Sequence, residues 1–311
     1  MTKTAFVAIV GKPNVGKSSL LNKMLGQKIA IVSSKPQTTR TKIMGVLTKG
    51  ETQLVFTDTP GFHKAHNKLG EKMNEAVGDT VGGVDACLFL TEPRGELNEQ
   101  ELQLLEMFKK QKMPVILAIN KIDMINDKEE LFKRIVYLTS FYDFTAVVPV
   151  SATEGDHVDE LIDELDKLAF ESPHFFPDDT LTDQPERVLA AEIIREKILR
   201  LMDKEIPHGI AVAVEKMRER DDKDILDIDA TIYCERESHK GMVIGKNGSM
   251  LKKVSTYARQ DLERFFQIKV NLHCWVKVKE DWRNREGLIH NFGLDNKSAL
   301  RCKNMFALGL V

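Results

Sequence analysis

Residues Gly11-Lys12-Pro13-Asn14-Val15-Gly16-Lys17-Ser18 constrain this chain more than any other segment, because such a loop works in only one structural setting. Glycines at its two ends let the backbone curl so that successive N–H groups face a phosphate. A helix opening at the second glycine adds the positive end of its dipole. The flanks supply that setting: residues 5–10 form an apolar, β-branched run, and residues 18–25 read as a helix. From there Lys17 can reach β- and γ-phosphates, and the Ser18 hydroxyl can ligate Mg²⁺. Gly11, Asn14, Val15, Gly16, Lys17, Ser18 and Ser19 are therefore the expected phosphate-side residues.

Strand-like runs at 5–10, 43–48, 54–57, 86–91, 115–119 and 147–150 alternate with helical patterns at 18–25, 97–112, 128–141 and 157–170. That alternation predicts an α/β domain with a mostly parallel sheet and helices on its faces. At 172–185 the periodicity stops, and Pro173, Pro177 and Pro185 mix with Asp178, Asp179 and Asp183, which reads as a linker. Beyond it the pattern runs α-β-β-α-α-β, an α+β unit. The expected division is 1–171, linker 172–185, second domain 186–290 and tail 291–311, and 311 residues suit two domains. Apolar runs fall short of the ~18 to 20 residues of a membrane span. The N-terminus lacks a secretory pattern, so a cytoplasmic location is expected. Cys87, Cys234, Cys274 and Cys302 form no CxxC pair and are expected as reduced, partly buried thiols rather than disulfides or zinc ligands.

Three further motifs sit where strands end. Asp58-Thr59-Pro60-Gly61 follows the run 54–57 and places a carboxylate within reach of Mg²⁺ through water. Asn120-Lys121-Ile122-Asp123 follows 115–119. A carboxylate at Asp123 can accept from both the ring N–H and the amine of guanine, whereas adenine would leave it unpaired. Ser151-Ala152 follows 147–150 and can turn a backbone N–H onto the guanine oxygen. Charge points the same way: residues 1–50 carry nine Lys/Arg and no Asp or Glu, so an anionic partner is expected there.

These four elements in order resemble the translation-factor-related class of small GTPases over about residues 4–170. The resemblance implies GTP/GDP as ligand with Mg²⁺ held by Ser18, Asp58 and a threonine that folds over the γ-phosphate. Thr38, Thr39 and Thr41 are available, and similarity to related TTR motifs favours Thr39. Lys17 and Thr39 are then the expected catalytic residues, with Gly61, Asn120, Lys121, Asp123, Ser151 and Ala152 completing the nucleotide site. Phe62 stands where Ras-like GTPases carry the glutamine that orients water, as in the subclass with a hydrophobic residue there. Intrinsic turnover is expected to be slow, about 10⁻⁴ to 10⁻² s⁻¹. Asn14 is a candidate for helping to hold K⁺. Arg40 is considered as a cis arginine finger, with a solvent- or RNA-facing arginine the preferred reading.

Gly245-Lys246-Asn247-Gly248 lies between Val243-Ile244 and a helix starting near Ser249, in a stretch (240–279) with nine Lys/Arg against Asp261 and Glu263. In its α-β-β-α-α-β context it resembles a type II KH domain, whose GxxG loop clamps a single-stranded backbone. Ile244, Gly245, Lys246, Asn247, Gly248, Lys252 and Lys253 are the implied RNA-binding residues. The two domains together resemble the Era-type family of ribosome-assembly GTPases. That implies a GTPase acting in maturation of the small ribosomal subunit, binding 16S rRNA near its 3′ end, monomeric and peripherally associated with the inner membrane. The tail from about Asn291 extends past the usual family end. A metabolic nucleotide enzyme would need a further acid, base or nucleophile, and none stands out: His63, His66 and His239 read as loop or surface residues. A G protein whose second domain docks only protein is disfavoured by the lysine-rich GxxG context.

Overall fold

The computed structural model describes residues 1–35, 37–61, 67–202 and 209–294. Phe62, His63, His66 and residues 295–311, Cys302 included, lie outside them.

Seven strands form the first sheet: β1 (Lys3–Gly11), β2 (Ile43–Lys49), β3 (Thr52–Asp58), β4 (Ala86–Thr91), β5 (Val115–Asn120), β6 (Ala146–Val150) and the short β7 (Phe170–Glu171). The order is β2-β3-β1-β4-β5-β6, parallel except for β2 on β3 and for β7, which pairs with the start of β1. Continuous apolar runs predict strands covered on both faces, and β4 and β5 are buried along their whole length. Helices α1 (Lys17–Leu25) and α5 (Val158–Asp166) cover one face. The other is covered by α2 (Lys68–Val81), α3 (Glu99–Gln111) and α4 (Lys128–Thr139).

In this first unit two elements differ from the expectation. Helix α2 is absent from the sequence reading, although Asn67 caps it by accepting from the Gly70 N–H at 2.9 Å and Leu69, Met73 and Val77 form a buried stripe. The helical pattern at 157–170 stops at Asp166, and Phe170 and Glu171 turn back as β7.

Residues 172–185, expected as a linker, are fastened down. The N–H groups of Phe175 and Phe176 donate to Gln53 Oε1 at 2.9 and 3.0 Å, and Phe175 packs edge-on against Phe6. Val46 N–H donates to Leu181 O at 2.9 Å, and the Thr182 hydroxyl donates to Met44 O at 2.6 Å. The segment therefore pairs with the outer edge of β2, which would otherwise be an open strand edge.

The second unit contains α6 (Glu186–Leu201), β8 (Ala211–Arg220), β9 (Lys223–Cys234), α7 (Glu237–Ile244), α8 (Ser249–Phe266) and β10 (Lys269–Val278). The 3₁₀ turn Trp282–Asn284 and α9 (Glu286–Asn291) follow. Its sheet runs β10-β9-β8, with β10 parallel and β8 antiparallel to β9. Ile194 and Ile198 of α6 meet Ile228, Ala230 and Ile232 of β9 and Val254, Ala258 and Leu262 of α8 in one core. A separate apolar cluster joins the units: Leu69 and Met73 of α2 pack with Ala211, Trp282 and Ile289.

Candidate nucleotide site and RNA-binding loop

The sheet topology brings the motifs to one edge, because the loops after β1, β3, β5 and β6 all leave the carboxyl ends of strands. A cleft of about 330 Å³ there is lined by residues of the phosphate loop, the threonine loop, Gly61, Asn120, Lys121 and Ala152. The first loop demands its glycines. At Gly11 (φ +150°) a Cβ would sit 2.4 Å from Leu90 O, and at Gly16 (φ +103°) 2.2 Å from Asn120 Nδ2.

Lys17 is buried, and its ammonium donates to Gly11 O and Lys12 O, each at 3.0 Å. Burial pulls its pKa down to about 8 against the attraction of Asp58. Asp58 is fully buried, and burial pushes its carboxyl up to about 6 despite Lys17, Ser18 and Thr39 beside it. Ser18 Oγ donates to Asp58 Oδ2 at 2.6 Å, and Thr39 Oγ1 lies 2.9 Å from Ser18 Oγ. Asp58 Oδ1 is buried with no hydrogen-bond partner among the described residues. The Thr38 hydroxyl points elsewhere, donating to Lys35 O at 2.6 Å. Asn14 adopts φ 61° and donates through Nδ2 to Ser34 O at 2.9 Å, tying the phosphate loop to the threonine loop.

At the base end Asn120 acts as a fastener. Its Nδ2 donates to Val15 O at 2.8 Å and its Oδ1 accepts from Ala152 N–H at 2.9 Å, so one amide joins three motifs. Asp123 Oδ1 accepts from Ser151 Oγ at 2.6 Å, which orients an otherwise exposed carboxylate. Glu92, absent from the sequence reading, pairs with Lys121 at 2.5 Å and with Lys12. Its only signal in the sequence is its place directly after β4.

Arg40 departs from both readings offered for it. It is 2% exposed, donates through Nη1 to Ile210 O at 2.5 Å and lies over the Trp282 ring, so it is neither a finger nor a solvent- or RNA-facing side chain. Lys28 likewise finds its anions inside the molecule, pairing with Glu196 at 2.5 Å and Asp261 at 3.3 Å.

In the second unit, α7 ends at Ile244 and the backbone turns left-handed at Gly245 (φ +73°), Asn247 (φ 51°) and Gly248 (φ +74°) before α8 begins. A Cβ on Gly245 would sit 2.7 Å from Met250 Cβ. Lys246 and Asn247 are exposed at the tip, and Lys252 and Lys253 are exposed along the first turns of α8, Lys253 over the Tyr257 ring. Ile244 is half-buried, and Leu251 packs against the core.

The chain matches the 50S ribosome-binding GTPase family over residues 6–121 and the KH domain family over 205–283. It is 50% identical to GTPase Era of Clostridioides difficile (strain 630), over 96% of this chain and 100% of that one. It is 47% identical to GTPase Era of Caldanaerobacter subterraneus subsp. tengcongensis, over 94% of this chain and 97% of that one. Two solved structures superimpose with a TM-score of 0.90 at 38% identity, covering 94% of this chain and 99% of theirs. One is a variant of Aquifex aeolicus Era bound to GDP·AlF₄⁻; the other is Era in complex with MgGDPNP and nucleotides 1506–1542 of 16S ribosomal RNA.

Proposed function

The chain belongs to the Era family of GTPases, and on that premise we propose that it is a GTP-hydrolysing switch that binds 16S ribosomal RNA near its 3′ end and assists maturation of the small ribosomal subunit. The observation that carries this reading is the presence, in one chain, of a cleft lined by the phosphate loop, Asn120, Lys121 and Ala152, and of an exposed GxxG loop at the head of α8. The 50S ribosome-binding family is matched by the first unit alone. The relatives that span both units, one solved with a 16S fragment, favour the small subunit.

In this reading Lys17 meets the β- and γ-phosphates, Asp123 reads guanine, and Asn120 holds the loops, its Oδ1 taking the Ala152 N–H that the sequence offered to the guanine oxygen. Ser18, Thr39 and Asp58 present the hard oxygen donors that Mg²⁺ prefers, and the unpartnered Asp58 Oδ1 fits a role that a bound, hydrated ion would complete. When bound, Mg²⁺ supplies charge neutralisation between the phosphates. Asn14, beside that site, supports a role for K⁺. Lys246, Asn247, Lys252 and Lys253 line the face offered to RNA, with Gly245 and Gly248 allowing close backbone approach. A monomer with peripheral contact to the inner membrane accords with the family resemblance; among the described residues no helix is long and apolar enough to cross a membrane.

Filter binding of a 3′ fragment of 16S rRNA, in the presence of GDP and of a non-hydrolysable GTP analogue, tests the reading. Specific binding that disappears on Gly245→Asp is expected, and equal affinity for unrelated RNA would refute it.

A further inference from the structure

One helix of the RNA-binding unit holds both ends of the loop that carries Thr39. At the near end Val32 has both backbone groups taken: its N–H donates to Glu196 Oε1 at 2.9 Å, and its carbonyl accepts from Arg200 Nε and Nη2 at 3.1 and 3.0 Å. At the far end the Thr38 carbonyl accepts from Arg195 Nη2. Arg195 is itself buried and braced by Glu192 at 2.8 and 2.6 Å, and Glu196 is fully buried.

The Thr38 carbonyl shares a rigid peptide plane with the Thr39 N–H. Fixing that carbonyl therefore fixes the plane from which Thr39 projects its hydroxyl toward Ser18. The route continues to the RNA loop. Asp261 of α8 receives Lys28 at 3.3 Å and also Lys197 of α6, while the other end of α8 starts directly after Gly248. A helix of 18 residues spans about 27 Å, so one rigid element touches both the RNA loop and the root of the threonine loop.

We infer that Arg195, with Glu196 and Arg200, is a positioning residue for GTP hydrolysis: α6 holds Thr39 over the site of the terminal phosphate, and the RNA-binding unit thereby sets how strongly the loop distinguishes GTP from GDP. The inference rests on the assignment of Thr39 to the metal and γ-phosphate. A merely structural contact between the units would lower the melting temperature and weaken both nucleotides alike. A positioning contact changes their ratio, because the γ-phosphate is what Thr39 meets.

The full chain with Arg195→Ala, Arg195→Lys and Arg200→Ala should be titrated with fluorescent GDP and a non-hydrolysable GTP analogue in Mg²⁺, and kcat and KM measured. Arg195→Ala and Arg200→Ala are expected to lower the GTP-analogue to GDP affinity ratio about 5-fold or more, within the usual range of coupling between sites. They are also expected to lower kcat while leaving GDP affinity within about 2-fold of wild type. Arg195→Lys should recover part of the ratio, since an ammonium can still donate to the Thr38 carbonyl. Equal loss for both nucleotides, or an unchanged ratio and kcat, overturns the inference. Should Arg195→Ala fail to fold, Arg200→Ala decides, because that side chain is 49% exposed. A Thr39→Ala chain that keeps the wild-type ratio would overturn the assignment beneath the inference, and would do so separately from the RNA-binding result.

Discussion

The guanidinium of Arg40 lies 5.6 Å from the ring centroid of Trp282, joining the end of the threonine loop to the 3₁₀ turn of the RNA-binding unit. The indole N–H donates to Gly209 O at 2.9 Å, and Arg40 donates to the next carbonyl, that of Ile210. Both side chains are buried, so the contact operates at low dielectric, where a cation over an aromatic face is strongest.

This makes Trp282 a reporter of engagement between the units. The other tryptophan, Trp275, is 49% exposed, so Trp275→Phe leaves a single buried indole. In that background Arg40→Ala should red-shift the emission and cost about 1–2 kcal/mol in urea unfolding, the loss of a buried cation–π contact and a hydrogen bond being partly offset by relief of the buried guanidinium's desolvation. An unchanged spectrum would show that the contact does not form in solution.

Lys17→Ala should lower GDP and GTP affinity about 100-fold or more while leaving the fold intact. Without ligand the ammonium is buried, with its pKa held at about 8, so its removal relieves a desolvation cost that offsets the lost hydrogen bonds. Calorimetric titration and a melting curve on the same sample check both halves.

Asp123→Asn should turn preference from guanine toward xanthine nucleotides. An amide donates where the purine 2-amine now donates, and so suits a 2-oxo group. Ser151 would keep the side chain in place, since its hydroxyl can bond an amide oxygen as it now bonds Oδ1. Measured affinities for GDP and XDP decide, and unchanged GDP binding would remove Asp123 from the base-reading role.

Much of this site is legible in the sequence, because Gly11 to Ser18, Asp58, Asn120 and Asp123 each sit at or just beyond the carboxyl end of a strand, where parallel topology gathers them. What spacing leaves unread is the junction. Arg40, Glu92 and Glu196 take their meaning from partners 170, 29 and 164 to 168 residues away, and no local period marks such pairs. Helix α2 escaped for a different reason: its apolar stripe faces a surface shared by the sheet and the second unit, and Gly70 and Gly78 dilute its helical propensity.

The two glycines of the RNA loop should behave differently. Gly245→Ala meets Met250 as well as an unfavourable φ, whereas a Cβ on Gly248 has nothing within 4 Å. The first substitution should lower RNA affinity and cost about 1–3 kcal/mol of stability; the second should cost less. Neither should alter GTP affinity without RNA, as RNA titrations and nucleotide titrations run in parallel will reveal.

Cys87 and Cys234 should resist thiol reagents in the native state. Burial pushes both thiols up to about 12, so at pH 8 roughly one molecule in ten thousand carries the reactive thiolate at either site. In a Cys302→Ser background, native labelling should be confined to a slow reaction at Cys274 and should accelerate as pH rises. All three thiols should react at once in urea.

The linker fastened along β2 also sets the slack between the two units. Although 172–185 could stretch about 48 Å if free, the bond from Thr182 to Met44 O leaves residues 183–185, with a reach of about 10 Å, before α6 begins. So short a tether keeps each unit at a local concentration of about millimolar or above at the face of the other. Contacts such as Lys28 with Glu196 can then re-form quickly after each opening, and an individually weak set of bonds is enough to hold the two units against each other.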